Sequence, residues 1–116
     1  LATIEIAAFE TEYPHTLPSA SAPDSAARAG FAIFRVECIA CHAINGEGGM
    51  IGPDLNVPRS IVEYRPADQI KAFIRDPQSF RYTTMPAHPH LGTPELESLI
   101  AYFTAMKDLK HDPRAR

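Results

Sequence analysis

The stretch Cys38-Ile39-Ala40-Cys41-His42 decides how the rest of the chain is read. Two thiols at this spacing fall on about one helical turn, so both sulfurs can reach one edge of a flat macrocycle. The imidazole that follows then points at the centre of the ring. C-x-x-C-H is the attachment signature of c-type haem, in which two thioethers fix the porphyrin and the histidine holds the iron. Other uses of the pair fit less well. A redox dithiol needs a thioredoxin-like strand before it and a helix after it; here a helical pattern precedes and a Gly-rich loop follows. A structural zinc needs two more ligands; the chain has no further cysteine, which leaves His88 and His90. A Cys38–Cys41 disulfide would close too short a loop to stabilise much.

The flanking sequence divides into helices and stiff loops. Before the motif, Phe31, Ile33, Phe34 and Val36 give a helix an apolar side, Asp24 or Ser25 can cap it, and Ala26, Ala29 and Gly30 allow close approach. After it, Asn45 to Pro58 holds Gly46, Gly48, Gly49, Gly52, Pro53 and Pro58 and is predicted as loop. A helix is expected from Pro66 to Arg75, ended by Pro77, followed by a loop from Phe80 to Gly92. The last helix is the clearest: Thr93 is the expected cap, Pro94 opens it, and Leu96, Leu99, Ile100, Phe103 and Met106 form one apolar stripe. Residues 1–24 read differently. Leu1 to Phe9 allows a short strand, and the Pro-, Ser- and Ala-rich run to Pro23 suggests an extended arm or linker. The expected division is an arm over 1–24, a domain over 25–110 and a charged tail over 111–116.

Composition narrows the class. The 116 residues suit one domain, and a net charge of −3 argues against a nucleic-acid binder held by a basic face. No apolar run approaches the roughly 20 residues of a membrane span. The N-terminus has neither an initiator methionine nor a basic n-region, so a processed product or a piece of something longer is expected. The 11 prolines are about twice the usual share of roughly 5%. Proline interrupts helices and central strands, which favours short helices around an added organiser of the core.

Taken in order, these features resemble a class I c-type cytochrome, over about Ala26 to Met106. Gly30 and Phe34 match the family's Gly-x-x-x-Phe face, which packs on the C-terminal helix around Tyr102 and Phe103. Gly52-Pro53-Asp54-Leu55 resembles the G-P-x-L segment, whose proline carbonyl receives a hydrogen bond from the proximal histidine. Thr84-Met85-Pro86 resembles the loop that carries the distal methionine. The resemblance implies an all-α cytochrome c fold: three to four short helices and long loops around one haem c bound covalently through Cys38 and Cys41, with an extended N-terminal arm. It implies His42 and Met85 as iron ligands. Met50, His88 and His90 are weaker candidates for the sixth position, and Met106 is expected in the core. For the haem propionates, position points to Arg81 or Tyr82, ahead of Arg59, Tyr64 and Arg75.

A haem with both axial positions filled moves one electron and offers no site for substrate. The expected function is therefore electron transfer rather than catalysis, in a periplasmic or equivalent extracytoplasmic compartment. The expected partner is a redox protein, a dehydrogenase or reductase that the chain serves as subunit or domain; residues 1–24 are then a linker to a neighbouring domain, a segment that docks on that partner, or an arm folded over its own domain. The oligomeric state is not legible. The alternative is a haem enzyme or gas sensor with a labile sixth ligand, which fast binding of CO or cyanide to the untreated protein would reveal. A binding module without haem is a further alternative, which colourless protein from a haem-competent host would indicate.

Overall fold

Ser25 starts the first helix: its Oγ accepts from the Arg28 N–H at 3.3 Å, the usual work of an N-cap serine. The structure is a computed structural model that describes residues 12–111. Within those residues helix α1 spans Ala26–Glu37, α2 Ile61–Tyr64, α3 Ala67–Arg75 and α4 Thr93–Lys107. Two two-residue strands, β1 (Ala43–Ile44) and β2 (Glu47–Gly48), pair antiparallel, with Ala43 opposite Gly48 and Ile44 opposite Glu47. Helices and loops dominate, as expected. The strand read in Leu1–Phe9 and the end of the tail lie outside the described residues.

Helices α1 and α4 cross at Gly30 and form the centre of the core. A Cβ on Gly30 would lie 2.0 Å from the Ser98 carbonyl oxygen and 2.7 Å from Tyr102 Cβ, so the helices approach to backbone contact only because this side chain is absent. Around the crossing, Tyr102 packs on Phe34 and Phe31 with ring centroids 5.3 and 5.7 Å apart. Leu96, Leu99, Phe103 and Met106 are buried from α4, with Tyr102 between them. Each such side chain contributes about 1.5–3 kcal/mol on burial.

Several boundaries differ from the sequence reading. Gly92, not Thr93, is the N-cap of α4: Thr93 is already helical, and Glu95 Oε1 accepts from the Gly92 N–H at 2.8 Å. Pro66 caps α3 instead of opening it. The region expected as loop from Asn45 to Pro58 contains the turn and second strand of a hairpin, and α2 follows it. In the hairpin Asn45 (φ 55°) and Gly46 (φ 79°) form the turn; paired positive φ values are the I′ geometry that Asn-Gly favours. For α2, Ser60 Oγ accepts from the Val62 N–H and Glu63 accepts from the Ser60 N–H at 2.6 Å, a reciprocal cap.

Residues 13–18 of the N-terminal stretch are seated on the domain. Pro14–Thr16 form a 3-10 turn, and Thr16 is fully buried. The Tyr102 hydroxyl donates to the Thr16 carbonyl at 2.6 Å, and burial pushes the phenol far above its ordinary pKa, so it stays a donor. Asn45 Nδ2 donates to the carbonyls of His15 and Leu109, while Asn45 Oδ1 accepts from the His111 N–H. One buried amide thus ties both ends of the described chain to the hairpin. The beginning of the charged tail is therefore held. Tyr102→Phe leaves the buried Thr16 carbonyl unpaired and should cost about 1–3 kcal/mol. A urea melt checks this, and an unchanged midpoint would remove the hydroxyl from the list of anchors.

Candidate functional site

Helix α1 ends where the C-x-x-C-H motif begins. The Cys38 N–H still donates to Phe34 O, and the Cys41 and His42 N–H groups both donate to Cys38 O, at 3.1 and 2.9 Å. The motif is therefore a tight turn, with both cysteines free of a disulfide. The next loop folds back over it: the Gly49 N–H donates to Ile39 O and the Gly52 N–H to Cys41 O, each at 2.7 Å.

This return brings Pro53 to His42. His42 Nδ1 lies 2.9 Å from the Pro53 carbonyl oxygen. A carbonyl only accepts, so Nδ1 carries the proton and Nε2 is left with its lone pair. Gly52 makes room for the ring, since a Cβ there would sit 2.4 Å from His42 Cε1.

His42 forms part of the wall of a cavity of about 530 Å³. Cys38, Cys41, Pro53, Arg81 and Met85 share that wall. Most of the rest is apolar, from Leu55, Ile61, Ile70, Phe73, Ile74 and Phe103. Burial pushes the Cys38 thiol up to about 12, with the Glu37 carboxylate adding to the effect. The cavity fits a haem by its chemistry: an apolar slot, two thiols on one turn, an oriented imidazole with a free nitrogen, and a thioether on a loop. His42 and Met85 are the residues that could hold its iron, and Cys38 and Cys41 those that could anchor its ring.

Residues 25–103 match the family described as cytochrome c oxidase, cbb3-type, subunit III. The chain belongs to this family. It is a c-type cytochrome domain, and its helices and loops are a cytochrome c fold, for which the family implies haem. A stretch of 77 residues is also 36% identical to cytochrome c oxidase subunit 2 of Alkalihalophilus pseudofirmus, covering 60% of this chain and 22% of that protein. The cytochrome domain thus spans about a fifth of that relative's length. A cytochrome c domain implies electron transfer. No helix among the described residues is long and apolar enough to cross a membrane.

The cytochrome's other sequence candidates scatter. Tyr82 is 97% exposed and does not line the cavity; the loop carries it outward while its neighbour Arg81 lies over the Phe73 ring, 5.2 Å from the centroid. Arg59, Tyr64 and Arg75 are likewise absent from the wall. Arg59 stacks on Tyr64, 5.1 Å from its centroid. Met50 is 83% exposed and away from the cavity, and Met106 is core. Arg65, which follows α2, and Gln69, in the first turn of α3, do line it and were missed; for Gln69 the helical spacing to Phe73 is a signal, while for Arg65 no local pattern gives one. His88, a weaker candidate for the sixth position, is buried and lines the cavity; its N–H donates to Ile74 O at the end of α3.

Proposed function

We propose that this domain carries one electron at a time on a single haem c joined by thioethers to Cys38 and Cys41, with His42 Nε2 and Met85 as axial ligands. The observation that carries this reading is the His42–Pro53 hydrogen bond, which fixes the ring's tautomer across an apolar cavity that Met85 also lines. The bound group supplies the Fe(III)/Fe(II) couple. The chain does the rest. Pro53 holds the imidazole in one orientation and raises its basicity. Met85 adds a soft thioether, which favours ferrous iron and raises the potential. The apolar wall excludes water and stabilises the less charged state. Arg81 and Arg65, both on the cavity wall, are the cations available to the propionates.

The partner is a redox protein in an extracytoplasmic compartment such as the periplasm. The names of both likenesses favour a place in an oxidase complex over a free-standing dehydrogenase, with this domain as a point of electron entry.

Protein made in a host competent for c-type haem maturation should be red, and its haem should remain with the polypeptide after acid–acetone extraction. Extractable haem would overturn the thioether assignment, and colourless protein the whole reading. Met85→Ala should keep the haem attached, open the sixth position to CO in the ferrous form, and lower the potential by on the order of 0.1 V within the roughly 0.8 V span that axial ligation sets. An unchanged potential with no CO binding would exclude Met85 as ligand.

A further inference from the structure

Beside the cysteine turn lies a charged cluster that the electron-transfer reading does not use. Glu37, the last residue of α1, sits within ion-pair distance of two histidines: 3.7 Å from His88 Nε2 and 3.1 Å from His90 Nε2. The histidines differ. The His90 side chain is 56% exposed, whereas that of His88 is 10% exposed. His88 Nδ1 is buried and has no hydrogen-bond partner. His88 and Glu37 both line the cavity that holds Cys38, His42 and Met85. The His88 imidazole is thus an ionisable group held at the cavity wall beside a carboxylate.

We propose that His88, supported by Glu37, is a proton-uptake site coupled to the haem, so that the domain takes up a proton with its electron. The inference rests on the haem reading above. One electron arrives from a redox protein and turns Fe(III) to Fe(II); one proton from solvent binds His88; no covalent bond to carbon or to the iron is made or broken. The added negative charge is felt at His88 through an apolar wall, where charges interact far more strongly than in water. Coupling is reciprocal: if reduction tightens proton binding, protonation raises the potential. The potential should therefore fall as pH rises through the range where His88 titrates.

The surroundings allow this. Glu37 favours the cationic form from the end of α1. His90, on the same loop, competes for that carboxylate. Helix α3 meets His88 through the Ile74 carbonyl, with Arg75 next in its last turn, and α4 presents Phe103 to the cavity. Arg65 and Arg81 line the same cavity. Glu37 and His90 give the proton a route from the exposed side.

The test is the midpoint potential of the haem-loaded protein across pH 5–9. In the wild type we expect His88 to bind its proton up to tenfold more tightly in the ferrous form, where tenfold converts to about 59 mV for one electron. His88→Gln should flatten the profile while leaving the His/Met spectrum intact. Glu37→Gln should move the sloping range to lower pH, and His90→Gln should retain most of the slope. Should His88→Gln fail to load haem, NMR titration of His88 in the wild type decides, with a higher titration point expected in the ferrous than in the ferric protein. A flat wild-type profile, equal titration points, or a slope that survives in His88→Gln would overturn the proposal and leave the cytochrome reading standing. Protein without haem would remove both.

Discussion

Gly30→Ala will separate the first and last helices and lower the thermal midpoint by roughly 12–24 °C, taking about 3 kcal/mol of overpacking and the usual 4–8 °C per kcal/mol for a domain of this size. Helix propensity predicts the opposite sign, since alanine is favoured over glycine by about 1 kcal/mol inside a helix. Contact geometry decides between them. The new methyl would lie 2.0 Å from Ser98 O and 2.6 Å from Ser98 C, which are backbone atoms in the middle of α4. They cannot turn aside as a side chain could. The crossing must widen, and with it the packing of Phe31, Phe34 and Tyr102. Gly92→Ala is the control. There the nearest atom is the end of the Glu95 side chain at 2.8 Å, which can swing away, so the cost should be at most that of a lost cap, about 1 kcal/mol. Thermal melts of both variants check the order. Equal midpoints would show that the α1–α4 contact is softer than its geometry.

What could be read from the sequence follows the range of the interactions. The C-x-x-C-H turn was legible because attachment chemistry demands a fixed local spacing. Helix α4 was legible because its stripe repeats at the helical period and Pro94 and Glu95 mark its start. Asn45-Gly46 and Ser60-x-x-Glu63 are equally local, and the hairpin and α2 could have been found from them; the surrounding glycines and prolines drew attention to loop instead. Residues 13–18 are a different matter. Their composition says that they bury little, yet Thr16 is held by Tyr102, which lies 86 positions away, and no local pattern announces such a contact. The same limit applies at the cavity. Arg81 and Tyr82 are adjacent in sequence, but one lies over Phe73 and the other in solvent. His88 is buried through a bond to α3. Chain order places a residue on a loop, and tertiary contacts decide which side of the loop faces the cavity.

On the haem assignment proposed above, Gly52→Ala should disconnect His42 from the iron while leaving the haem on its cysteines. A Cβ at position 52 would stand 2.4, 2.7 and 3.0 Å from Cε1, Nδ1 and Nε2 of the His42 ring, all too close. The loop cannot retreat without breaking the Gly52 N–H bond to Cys41 O at 2.7 Å. The ring cannot rotate without losing its 2.9 Å bond to Pro53. Whichever yields, the imidazole leaves the orientation that an axial ligand needs. The covalent anchors lie on the preceding turn and should survive. The expected protein is red, retains its haem in acid–acetone, and shows a ferric spectrum shifted from low towards high spin. Free imidazole added to the solution should restore the low-spin form by filling the vacated position. The fold should lose about 1–3 kcal/mol from overpacking, less than Gly30→Ala, because the clash falls on a side chain and a loop. A wild-type visible spectrum in Gly52→Ala would mean that His42 is not held where Pro53 places it, and the proposed axial geometry would fall with it.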